Sequence, residues 1–220
     1  MNGELSSVVR GRRRDRIVRV ATEVFFEHGY AATTMSFISQ RLGGSKATLY
    51  AYFRGKEDLF AEIIRQQCER LSRALDQAGE LAGMREQLTH LGMAFMTVLV
   101  SEAGVRTLQL AIEASRNNVA LAWRFEEVGV RIVTAQLIAF LQQARRRGEI
   151  TASDPAFAAQ TFISLMRGDL HFRRLLNLIP EPSVEVVRAE VERSVNLFVN
   201  LFAAADGSAA VTLASTGAMP

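Results

Sequence analysis

The chain has 220 residues, 49% of them apolar and 22% charged, which suits one small and one larger globular domain and excludes an intrinsically disordered chain. Its single cysteine, Cys68, excludes an internal disulfide and a cysteine-based zinc site, and no apolar run reaches the roughly 18 residues of a membrane span. The net charge of +3 is unevenly spread: residues 1–60 hold ten cations against six acids, a basic end on a near-neutral body.

Residues 1–14 are polar and then basic, with no apolar run, so no signal peptide is expected; with the lone cysteine this predicts a reducing, cytoplasmic location and no membrane partner. The arginines over residues 10–16 read either as a basic arm for a DNA minor groove or as a solvated start. Ile17, Val20, Ala21, Val24 and Phe25 then recur at helical spacing, and Gly29 is the expected stop. Thr34 is placed to cap a short helix built on Met35, Ile38 and Leu42, and Gly43-Gly44 ends it. Ser45 caps another short helix that reaches Phe53. A long helix starts near Glu57 with the stripe Phe60, Ile63, Ile64, Cys68 and Leu71, and a loop is expected over residues 75–83. Further helices are predicted over 84–100, 105–115 and 119–147. Asp154-Pro155 opens one that runs to 178, and Ser183 precedes the last. The expected fold is all-α with about nine helices: a domain over 11–71, a larger helical bundle over 72–205, and a disordered tail over 206–220.

Residues 33–60 read TTMSFISQRLGGSKATLYAYFRGKEDLF. Two short helices about a glycine turn predict a helix-turn-helix over 34–53, whose second helix can enter a major groove. Ile38, Leu42, Leu49 and Phe53 supply its buried faces, leaving Lys46, Thr48, Tyr50 and Tyr52 to face outward. Ser45 and Thr34, each at a helix start, are candidate phosphate ligands, and Lys56 is expected to reach a third phosphate. Tyr50 as a core residue and Thr34 as a simple cap are the competing readings.

This stretch resembles the TetR/AcrR family of bacterial transcriptional regulators. The resemblance covers about residues 12–71 and rests on Phe25, Gly29-Tyr30, Thr33-Thr34, Ile38, Gly43, Ser45-Lys46, Thr48-Leu49-Tyr50, Tyr52-Phe53, Lys56-Glu57 and Leu59. Ser39, Gly44 and Ala47 depart from the usual pattern without removing a DNA-contacting residue type. The resemblance implies a dimer that binds double-stranded DNA at a palindromic operator, represses a neighbouring gene and is released by a small apolar or aromatic effector. It also implies a helical effector-binding domain whose last two helices pair with those of a second subunit.

The larger domain carries no catalytic pattern. His28, His90 and His171 lie far apart, no metal-ligand spacing occurs, and neither a phosphate loop nor a nucleophile elbow is present. No enzyme, cofactor or metal is therefore expected. Phe95, Met96, Leu99, Trp123, Phe125, Met166 and His171 are candidates for an apolar effector cavity, with ordinary core packing as the alternative for each. Arg167, Asp169 and His171 could add polar contacts there or at a dimer rim. Phe162, Leu165, Val195, Phe198 and Phe202 exceed what a small bundle needs to bury and are the expected dimer contacts.

Overall fold

The structure, a computed structural model, describes residues 2–79, 81, 83–116 and 118–202. The tail expected over 206–220 lies outside the described residues. Within them the chain is helical throughout, with eleven α-helical segments and no β-strand. No single described helix is long and apolar enough to cross a membrane.

Helix α1 (Asn2–Ala32) begins well before the predicted start and bends at Gly29, whose φ of 76° only glycine adopts at little cost. It buries Ile17, Val18, Ala21, Val24 and Phe25, and beyond the bend Tyr30 returns to stack on Phe25 at 5.5 Å. Helices α2 (Met35–Leu42) and α4 (Lys56–Ala78) pack on it, and α3 (Lys46–Tyr50) packs on α2. These residues share one apolar cluster, to which α6 (Glu102–Ser115) adds Leu110 and Ala111, and α7 (Val119–Phe125) adds Leu121.

A second cluster fills the rest of the molecule. It is built from the far end of α4, α5 (Met84–Val100), α8 (Arg131–Arg146), α9 (Pro155–Met166) and α11 (Val184–Phe202). Asp154 caps α9 by accepting from the Ala156 N–H at 2.8 Å, with Pro155 in the first turn, as its sequence predicts. Helix α4 therefore contributes to both clusters.

Two long helices expected from the sequence are interrupted. The stretch 119–147 contains a π-helical turn, Glu126–Val130, between α7 and α8. Gly129 sits there because a Cβ would come within 2.8 Å of Ile64 Cγ2 on α4. The stretch 155–178 breaks at Arg167-Gly168, where glycine disfavours a continuous helix, and resumes as α10 (Asp169–Leu175). The break turns His171 and Arg174 inward. The Arg174 guanidinium is buried and each of its three nitrogens donates: to Val100 O (3.0 Å), Ile179 O (3.1 Å) and a Glu102 carboxylate oxygen (2.9 Å). A buried charge needs such partners, and this set ties α10 to the α5–α6 corner.

Candidate nucleic-acid interface and ligand cavity

The reading head is assembled by caps. Thr34 Oγ1 accepts from the Phe37 N–H at 3.2 Å and starts α2. Gly43, left-handed at φ 67°, lets its own N–H reach Gln40 O (3.1 Å) and that of Gly44 reach Ser39 O (3.2 Å), closing α2. Ser45 Oγ accepts from the Thr48 N–H at 3.1 Å and starts α3. Ile38, Leu49 and Phe53 are buried behind this turn. On the other side Thr34, Ser45, Lys46 and Tyr50 are exposed, while Thr48 and Tyr52 are half-buried. Lys46 and Tyr50, four residues apart, share one outward face of α3.

The arginine-rich start is helical and folds beside the turn. Arg12, Arg13 and Arg16 of α1 line an open groove together with Leu42, Gly43, Gly44, Ser45 and Thr48. Arg10 lies over the Tyr52 ring at 5.8 Å and Arg14 over Phe53 at 5.1 Å. Arg14 also pairs at 3.0 Å with Glu62, a buried acid of α4 whose second partner is Arg65. The sequence offers these arginines as a minor-groove arm or a solvated start but does not reveal their helix, because residues 2–16 lack an apolar stripe. The four-residue spacing of Arg12 and Arg16, which puts both on one helical face, was the available signal.

Lys56 corrects an expectation. Its ammonium donates to Tyr30 O (2.9 Å), Thr33 O (3.2 Å) and Ala31 O (3.4 Å) and sits 4.4 Å over the Tyr30 ring. All three protons are directed at the carbonyls that end α1, so the side chain ties α4 to α1 and has none left for a phosphate.

The helical body holds a cavity of about 270 Å³ between α4, α5, α6, the π turn, α8 and the α9–α10 break. Of the expected residues, Phe95, Leu99, Phe125 and His171 line it. Met96 and Met166 do not: both are buried in the body's core, the Met166 sulfur only 3.2 Å from where a Gly92 Cβ would stand. Trp123 is 66% exposed on α7 and lies outside the cavity. Its size argued for burial, but the helical face it occupies points to solvent. Ile64, Cys68 and Leu71 bring α4 into the lining. Burial pushes the Cys68 thiol up to about 11, so it stays protonated and acts as an apolar wall. His171 is buried, its Nε2 has no hydrogen-bond partner, and burial followed by the charge of Arg167 holds its imidazole below the ordinary value.

The expected dimer contacts also need correction. Phe162, Val195 and Phe198 are buried within the subunit, Phe162 and Phe198 edge to face at 5.4 Å. Leu165 and Phe202 are half-buried against the same core. The large apolar residues that α9 and α11 leave outside are others: Phe157, Val184, Val186, Leu197 and Leu201.

Comparison with known proteins bears on both halves. Residues 17–63 match the profile described as bacterial regulatory proteins, tetR family. Residues 86–204 match that of the AefR-like transcriptional repressor, C-terminal domain. The chain belongs to the TetR family. Members of this family are DNA-binding transcriptional regulators, not enzymes. The fold of this TetR-family regulator is similar to that of a family member from Mesorhizobium loti, with a TM-score of 0.76 at 25% identity over 88% of this chain and 98% of that one. A flavonoid-responsive regulator, FrrA, aligns over the same shares at 32% identity and a TM-score of 0.69. The HTH-type transcriptional regulator YhgD of Bacillus subtilis is 24% identical over 157 residues, 70% of this chain and 80% of that protein.

Proposed function

We propose that this TetR-family regulator is a repressor that binds a palindromic operator as a homodimer and leaves it when a small apolar or aromatic effector fills the cavity. The observation that carries this reading is the double role of α4. Leu59, Phe60 and Ile63 of its first turns are buried in the core of the reading head. Ile64, in that same core, also lines the cavity, followed by Cys68 and Leu71. A ligand that wedges against α4 therefore shifts a rod whose other end seats the head. It moves the population off DNA by as much as its affinity differs between the two arrangements. The likeness to a flavonoid-responsive regulator supports an aromatic effector.

At the DNA, Lys46, Tyr50 and Thr48 would meet the major groove, with Tyr52 at its edge. Thr34, Ser45 and the Arg12, Arg13 and Arg16 groove would meet flanking phosphates. The dimer would form on the outer face of α9 and α11. Two-fold symmetry would then set two reading heads about one turn of DNA apart.

The test is a gel-shift titration of the purified protein on the DNA upstream of its own gene, with random DNA as competitor. Competitor-resistant binding that an effector dissolves is the expected result. Weak binding that random DNA removes equally would overturn the reading of a site-specific repressor of its neighbourhood.

A further inference from the structure

Among the described residues that line the cavity, no acid occurs, and Arg167 carries the single permanent charge. Arg167 is also the one lining residue that is exposed; every other is buried or half-buried. The cation therefore stands at the mouth of an otherwise mostly apolar space. Its guanidinium makes no ion pair and no hydrogen bond to another described residue. Two acids beside the α9–α10 break are committed to other arginines: Asp169 pairs with Arg173 at 3.8 Å and Glu190 with Arg193 at 3.1 Å. Protein atoms crowd the Arg167 guanidinium enough to push its pKa below the ordinary arginine value, and no acid offsets the water it has lost.

An unpaired cation at the mouth of an apolar cavity matches an amphiphile with one anionic group. The apolar body fills the cavity, and the head meets the cation where water still reaches both, which avoids the desolvation cost of a fully buried pair. A carboxylate accepts two parallel N–H bonds from a guanidinium. A phosphomonoester would bring a further negative charge that no lining residue meets. The volume of about 270 Å³ lies under the roughly 300–1,000 Å³ of drug-sized sites and keeps the body compact. We infer that the effector is a compact apolar monocarboxylate whose head pairs with Arg167 at the cavity mouth. This rests on the reading of the cavity as the effector site.

The test is calorimetric titration of the full chain with two acids of different body, 2-naphthoate and octanoate, each against its own neutral amide. In whichever pair binds, the acid is expected to bind about tenfold more tightly than the amide, the effect of one charge-assisted pair. Arg167→Gln removes that preference and leaves both the affinity for the amide and the circular dichroism spectrum unchanged. Arg167→Lys, which keeps the charge but not the fork, retains part of it. An amide that binds the wild type as tightly as its acid overturns the carboxylate and leaves the cavity as an effector site. A preference for the acid that survives in Arg167→Gln overturns the role of Arg167. If none of the four binds, the cavity is not an effector site and both readings fall.

Discussion

The chain has only two lysines, Lys46 and Lys56, both within the stretch 33–60, and their surroundings assign them opposite work. Lys46 is exposed on α3, with its charge free to meet a phosphate. Lys46→Ala is expected to weaken binding to every DNA sequence and to lower the slope of log Kd against log salt by about one unit. Fluorescence anisotropy over a salt series measures it, and an unchanged slope removes Lys46 from the phosphate contacts. Lys56 has spent its protons on the end of α1. Lys56→Met should leave the salt slope unchanged and lower stability by about 1–3 kcal/mol, seen as a lower urea midpoint. A changed slope with an unchanged midpoint would restore Lys56 to the DNA face. Sequence alone could not separate the two, because a lysine at the start of a helix looks the same whether carbonyls or water lie within its reach.

At the scale of elements, three helix starts made by a side chain were legible, while that of α6, capped by Ser101, was expected only at residue 105. Thr34, Ser45 and Asp154 cap the helices that their positions predict, since an N-cap bond is local in sequence. Interruptions were not legible where their cause is distant. The π turn Glu126–Val130 belongs to a stretch that is apolar on several sides, and Gly129 there faces Ile64 on α4, more than sixty residues earlier. Gly129→Ala would drive a Cβ into Ile64 Cγ2. The expected cost is about 1–3 kcal/mol, the range for overpacking, read as a lower melting temperature. If the variant melts with the wild type, the π turn is not packed tightly on α4. The arginine-rich start of α1 is the converse case: no apolar stripe announces it, and the turn of the reading head and Glu62 give its guanidinium groups their places.

For the whole molecule, the decisive question is which apolar side of α11 faces the subunit's own core. Val195 and Phe198 face inward; Leu197 and Leu201 face out, at 50% and 63% exposure. Phe198→Asp is therefore expected to unfold the subunit, because it would bury an unpaired charge. Leu201→Asp should keep the helical circular dichroism spectrum and shift the sedimentation of the proposed dimer toward the monomer. A folded Phe198→Asp variant, or a Leu201→Asp variant that sediments like the wild type, would place the subunit contact elsewhere. The sequence by itself determined the all-α class, the reading head and the family, because caps, glycine turns and the TLYxYF string from Thr48 to Phe53 are short-range signals. Only the tertiary structure decided which large residues line the cavity, which are core and which lie outside. Helical periodicity states that a face is apolar, and the hydrophobic effect, being non-directional, does not name the partner that covers it.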